Sequence, residues 1–379
     1  MINKVTTFSA VNSKVNSTDS KVLLLTNLIE KSPSGGREML CKLNHDILKS
    51  IFSDNCFVFE LPKSPISGLK DIVNAFRGYV DGLTPSKMTE LFQLVEEKKI
   101  NKIFVDGSNF GGFVKRVKKQ FPDIQIATFF HNVESRFFLG SFKQNKTPRS
   151  MAVLMVNYLA EKKSVKYSDK IVCINQRDNE LLNKVYGRYA TDLYPMSLED
   201  KLPSNYESLP FDVTEKFALF VGGTFYANKV GIFWFVKHVV PHITIKTYVV
   251  GRGFEKYREE LEVNDKVIVI GGVESLAQWY HDAYFIIAPI FDGSGMKTKV
   301  AEALMYGKKI IGSAEAFSGY EGVLQEAGRV CNKPSEFILA IEKADEMVNE
   351  KFDKVLRSIY MKNYSLKAAK HRLESIMNQ

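Results

Sequence analysis

A chain of 379 residues exceeds what one ordinary hydrophobic core accommodates and suits two domains. With 45% hydrophobic and 25% charged residues it has the balance of a globular protein, and the lack of any run of about 18 apolar residues excludes a membrane-spanning helix. The net charge of +9 is unevenly divided: residues 1–200 hold 29 Lys and Arg against 21 Asp and Glu, whereas 201–379 hold 23 against 22.

Residues 1–20 are rich in Ser, Asn, Thr and Lys and lack periodicity, so a loose lead-in is expected, with no secretory leader. From Lys21 short apolar strands alternate with helical stretches: strands over 21–26, 56–60, 102–106, 124–128 and 170–174, helices over 37–52, 86–99 and 149–166. That alternation predicts a parallel sheet with helices on both faces across 21–203. Around 198–215 it lapses into polar sequence containing Pro203 and Pro210, which reads as an interdomain linker. A second alternation, with strands near 217–221, 245–250, 266–270, 285–289, 309–312 and 329–331, predicts a second such domain across 204–360. Residues 352–377 read as helix, broken near 363–365. The fold class is α/β, with two doubly wound parallel-sheet domains. Ligands of such sheets bind at the carboxyl ends of the strands, here in a central cleft. Cys41, Cys56, Cys173 and Cys331 form no Cys-x-x-Cys pair, which argues for reduced core thiols.

The densest chemistry lies at 291–307, where a strand hands over to a helix. Gly293 and Gly295 let backbone N–H groups approach an anion, and the helix presents its N-terminus. Lys297 and Lys299 stand in its first turns, so together these parts can grip a diphosphate. Glu302 falls off the apolar stripe of Met296, Val300, Ala303, Leu304 and Gly307, free to accept hydrogen bonds from two adjacent ribose hydroxyls. The same residues also read as a solvated helix with a Lys299–Glu302 pair. A dehydrogenase is excluded because Gly251 and Gly253 are not followed by a third glycine at the required spacing, and no Gly-Lys-Ser/Thr closes a P-loop. No Asp-x-Asp occurs to hold a divalent ion, so neither metal nor cofactor is expected, and lysines would stabilise the charge of a departing diphosphate.

With its flanks this segment resembles the nucleotide-sugar domain of GT-B glycosyltransferases of the family 4-like group. Phe220 to Thr224 with Asn228 and Lys229, Val249 to Gly253, and Phe129 to Glu134 add to the likeness, which covers roughly 21–375. The resemblance implies two Rossmann-like domains, a terminal helix (361–379) crossing back onto the first, and transfer from a nucleotide-diphosphate sugar. It implies donor-binding roles for Gly36, Gly222, Gly223, Thr224, Arg252, Val273, Asp292, Gly293, Ser294, Gly295, Met296, Lys297, Thr298 and Glu302. His131, Lys229 and Lys299 would be catalytic, the histidine touching the sugar and the lysines the leaving diphosphate. Two positions depart from the family pattern. Gly223 stands where a basic residue is common, and Ser294 where the first glutamate of a Glu-x7-Glu often stands, leaving Asp292 or backbone at 293–296 to hold the sugar. Retention of configuration is expected. Two alternatives share the architecture: a sugar-nucleotide epimerase and a catalytically silent partner protein.

The acceptor follows from the charge. Basic clusters at 114–119, at 143–149 and at Lys162, Lys163, Lys166 and Lys170 flank Arg136 to Lys143, where Phe137, Phe138 and Phe142 sit among cations. That mixture fits an anionic inner-leaflet surface and a lipid-linked glycan acceptor, as in O-antigen or capsule synthesis, with the protein cytoplasmic or peripheral on the inner membrane. A solvated helix face over ordinary core aromatics accounts for the same residues. Nucleic acid is not expected, because no recognition motif accompanies the charge.

Overall fold

The computed structural model describes residues 20–29, 36–62, 64, 68–263, 265–293 and 295–378; the expected lead-in and the loop position Ser294 lie outside them. The first domain runs β1 (Val22–Asn27), α1 (Gly36–Phe52), β2 (Cys56–Leu61), α2 (Leu69–Phe76), α3 (Pro85–Lys98), β3 (Lys102–Asp106), α4 (Gly111–Gln120), β4 (Gln125–Phe130), α5 (Glu134–Asn145), α6 (Pro148–Tyr167), β5 (Lys170–Cys173), α7 (Gln176–Tyr186) and β6 (Asp192–Leu193). Its six strands pair in parallel in the order β2-β1-β3-β4-β5-β6. Every residue of β1 is buried, as a strand covered on both faces requires.

The second domain runs β7 (Phe217–Val221), α8 (Tyr226–His238), β8 (Lys246–Val250), α9 (Arg258–Leu261), β9 (Val267–Gly271), α10 (Ala277–Asp282), β10 (Phe285–Ala288), α11 (Thr298–Met305), β11 (Ile310–Gly312), α12 (Leu324–Ala327), β12 (Gly328–Val330) and α13 (Pro334–Glu342). Its strands also pair in parallel, ordered β12-β11-β10-β7-β8-β9. The chain winds outward from β7 to β9, then returns to β7's other side at β10. Connections after β7 and β10 therefore leave in opposite directions and open a crevice at the sheet's carboxyl edge.

Many helix starts are written locally. Thr84 accepts from Lys87 N at 3.2 Å with Pro85 in the first turn, Asn175 accepts from Asp178 N at 2.8 Å, and Asp353 caps α14 (Lys354–Asn363). After Tyr364, α15 (Leu366–Asn378) packs on α1 of the first domain, and Lys370 Nζ donates to Ser50 O at 3.1 Å. The segment between the sheets is anchored: Leu198 N donates to Tyr364 O at 2.8 Å, and Tyr206 is buried against Tyr306 and His281. One apolar cluster joins Ile174 and Met196 of the first domain to Met296 and Tyr320 of the second. All four cysteines are buried free thiols.

Candidate active site

Between the sheets lies a cavity of about 730 Å³, walled on one side by Gly36, Arg37 and His131 and on the other by the loops after β7, β8, β9 and β10. The glycine turn after β10 is built from two positive φ values, +125° at Gly293 and +71° at Gly295, which side chains rarely adopt. At Gly295 a Cβ would meet nothing within 4 Å, so the backbone lies open there. Gly293 N donates to the Asp292 carboxylate at 2.7 Å. Lys297 precedes the first turn of α11 and donates its ammonium to Gly295 O at 2.9 Å and to Glu315 Oε1 at 2.8 Å.

Lys299 is buried, its ammonium 4.2 Å from the Phe220 ring centre and 2.9 Å from Asn228 Oδ1. Burial pushes its pKa down to about 7, against the opposing pull of nearby Glu302. Glu302 lines the cavity and accepts from Tyr280 OH at 3.3 Å; desolvation raises its carboxyl above the ordinary range. Asn228 ties the site together, since its Nδ2 also donates to Gly223 O at 2.9 Å and holds the loop after β7.

On the opposite wall His131 follows β4 and is almost fully buried. Its Nε2 lies 2.9 Å from Asp106 Oδ1, while Asn44 Nδ2 donates to the same oxygen at 3.0 Å and Thr26 Oγ1 to Asp106 Oδ2 at 2.9 Å. Despite full burial, the His131 ring and the hydrogen bonds from Cys41 and Thr26 hold Asp106 below the usual carboxylate range. His131 Nδ1 has no hydrogen-bond partner among the described residues. Cys41 Sγ, Asp106 and His131 come within 4.8 Å of one another, a spacing a metal could bridge. Asp106 is already filled by three donors, however, and burial together with Asp106 raises the Cys41 pKa and keeps it a thiol, so the trio suits a hydrogen-bonded network rather than a metal site.

The structure thus gathers Gly36, His131, Gly222, Gly223, Arg252, Val273, Asp292, Gly293, Gly295, Met296, Lys297, Thr298, Lys299 and Glu302 around one cavity. Ser294 lies outside the described residues. Two expected residues lie off this wall. Lys229 does not line the cavity: one residue past Asn228 turns it away, and its ammonium rests 3.8 Å from the Tyr257 ring centre. Thr224 is also off the wall, packed where a Cβ on Gly253 would meet its hydroxyl at 2.7 Å. Asp106, Tyr280 and Glu315 escaped the sequence reading, and Asn228 was given no role in it, because each contacts a partner distant in sequence.

Two Rossmann-like domains facing a cleft, with a glycine turn and cationic helix start on one side, define a GT-B protein. Residues 215–345, in the second domain, match the family described as Glycosyl transferases group 1. The chain is similar to sucrose-phosphate synthase from Thermosynechococcus elongatus (15% identity, TM-score 0.65, covering 94% of this chain and 98% of that one). It is also similar to Anabaena HepE in complex with UDP (11%, TM-score 0.63, 94% and 99%) and to the lipopolysaccharide outer core galactosyltransferase WaaB (13%, TM-score 0.59, 93% and 98%). At these identities the structures speak to the fold, and they agree with the α/β, two-sheet architecture expected from the sequence. No match was found among curated proteins.

Proposed function

We propose that this chain transfers a sugar, with retention and without a metal, from a nucleoside diphosphate sugar to a hydroxyl of a lipid-linked glycan in bacterial surface polysaccharide synthesis. The observation that carries the donor half is the convergence of the glycine turn, Lys297, Lys299 and Glu302 on a single cavity opposite His131. A neighbour of the same fold is in complex with UDP. Glu302 is placed to accept from ribose hydroxyls, while Lys297, Lys299 and the start of α11 face the leaving diphosphate. As the glycosidic bond breaks, negative charge builds on that diphosphate, and cations fixed beforehand stabilise it without reorganising. Asp106 fixes the His131 ring at the cavity wall, where it would meet the sugar. A closed cleft keeps water from competing with the acceptor.

For the acceptor half, the support is a surface on the first domain. Leu69 (83% exposed) and Val73 on α2, Phe137 (58%) on α5, and Met151 and Met155 on α6 are exposed, and α2 and α5 both pack against α6. Lys143 and Lys146 lie at the end of α5 and Arg149 at the start of α6. Phe138 and Phe142, expected to be part of this surface, are half-buried. No described helix is long and apolar enough to cross a membrane. The first test is a thermal-shift screen across UDP-, GDP-, ADP- and dTDP-sugars, in which a true donor raises stability in proportion to occupancy. The preferred donor should be consumed only with an acceptor present, and EDTA should leave the rate unchanged. Conversion without acceptor would identify an epimerase instead. A loss restored only by Mg²⁺ or Mn²⁺ would overturn metal independence.

A further inference from the structure

Glu315 stands just beyond β11, outside the cavity wall, and its carboxylate is divided between the domains. Oε1 accepts from Lys297 of the glycine turn at 2.8 Å, and Oε2 lies 3.2 Å from Arg177 Nη1 in the first turn of α7. The domains touch closely beside it. Gly319, at φ +89°, has no room for a side chain: a Cβ would stand 2.4 Å from Met296 Cγ and 3.2 Å from Asn175 Cβ. Met296 precedes Lys297, and Asn175 caps the helix that carries Arg177. A shift of α7 against the glycine turn is therefore felt at both oxygens of one carboxylate.

A diphosphate and Glu315 compete for the same ammonium. When an anion takes Lys297, Glu315 loses one cation and gains a negative neighbour, and both changes tighten its hold on Arg177. We infer that Glu315 is a positioning residue that sets how available Lys297 is to a diphosphate and couples its occupancy to the contact between domains; this rests on the donor-site reading above. Linkage makes the coupling reciprocal, so Arg177 in turn favours diphosphate binding by occupying Glu315.

Removing the carboxylate's charge and removing its Arg177 partner should then act with opposite signs, which a simple structural bridge would not produce. Calorimetric titration with inorganic pyrophosphate isolates the phosphate contacts from base and sugar. Glu315→Gln frees Lys297 and removes a like charge, so pyrophosphate affinity is expected to rise by about fivefold, the upper range for a partly exposed pair. Arg177→Gln leaves Glu315 wholly to Lys297, and affinity is expected to fall by a similar factor. Both side chains are partly exposed, so the variants should unfold near the wild-type temperature. Shifts of the same sign, or none, in variants of a wild type that binds pyrophosphate would overturn the coupling alone. A wild type that binds neither pyrophosphate nor any nucleoside diphosphate would remove the donor-site reading and the coupling with it.

Discussion

Glu302 and Lys299 carry opposite burdens of burial. Glu302 is held above the ordinary carboxylate range by desolvation, and Lys299 is held down to about 7 by the same cause. Glu302→Ala removes the acceptor proposed for the ribose, and nucleotide binding is expected to weaken by about 1.5–3 kcal/mol, the worth of a hydrogen bond to a charged group. Isothermal titration with the nucleotide that gives the largest thermal shift measures this, and an unchanged Kd would take Glu302 out of the donor site. For Lys299 the prediction concerns pH. A bound diphosphate favours the ammonium and raises its pKa above about 7, so above that pH the complex holds more protons than the free protein. Affinity should be flat below about pH 7 and then fall by up to about tenfold per unit until the bound-state pKa is reached. Titration near pH 8 in two buffers of different ionisation enthalpy should show proton uptake, and Lys299→Arg should abolish it; no uptake in the wild type would contradict the proposed contact. Lys229→Ala, by contrast, should change nucleotide affinity little, since its ammonium sits on Tyr257. The contrast marks what was legible. Glycines and cations at one strand-to-helix junction announce themselves by local spacing, so the turn at 293–299 was readable. Which face of α8 meets the cleft was not, because the helix is apolar nearly all round and gives no stripe to orient Lys229 or Asn228.

α5 illustrates an element whose start is supplied from elsewhere. Its first N–H groups donate to Glu161 of α6, Glu134 N at 2.8 Å and Ser135 N at 2.9 Å, and the same carboxylate accepts from Ser108 Oγ at 3.0 Å and Tyr186 OH at 2.7 Å. The residue preceding the helix, Val133, has no side chain able to cap it. Sequence patterning accordingly finds α1, α3 and α6 but neither α2 nor α5. It also passes over β6, whose two residues are too short for any periodicity. The remaining strands emerge within a residue or two, since buried parallel strands are continuous apolar runs. Glu161→Ala would strand two helix N–H groups and two hydroxyls in the interior, and a loss of about 3 kcal/mol or more is expected from the urea midpoint. Glu161→Gln keeps the shape and some acceptors and should cost distinctly less. A loss below about 1 kcal/mol for the alanine variant would mean that water replaces the carboxylate and that α5 does not depend on it. The dependence matters for function because α5 begins three residues after His131, so fraying of its first turn would loosen the histidine's loop.

At the scale of the whole molecule, the two domains differ in charge. The excess of cations in residues 1–200 sits on the domain that carries the exposed apolar side chains of α2, α5 and α6, while the other domain is nearly neutral. Apolar side chains ringed by cations suit an interface in which the former enter the headgroup boundary and the latter meet anionic lipid. Each Lys or Arg near such a surface contributes about 1 kcal/mol, and the field decays within a Debye length of about 8–10 Å at ordinary salt. On the proposed reading the first domain would hold the acceptor's lipid at the bilayer, while the second, tied to it through α14 and α15, would open and release spent nucleotide. Co-sedimentation with phosphatidylglycerol vesicles is expected at low salt and release at high salt. Changing Lys143, Lys146 and Arg149 together to Ser should weaken binding by about 3 kcal/mol, a hundredfold or more. Leu69→Ser combined with Phe137→Ser should weaken the salt-insensitive remainder, because it removes apolar area rather than charge. The two sets of changes act through different forces, so their effects should be separable by salt alone. Sedimentation indifferent to salt and to both sets of substitutions would make this face an ordinary solvated surface and return the acceptor to solution.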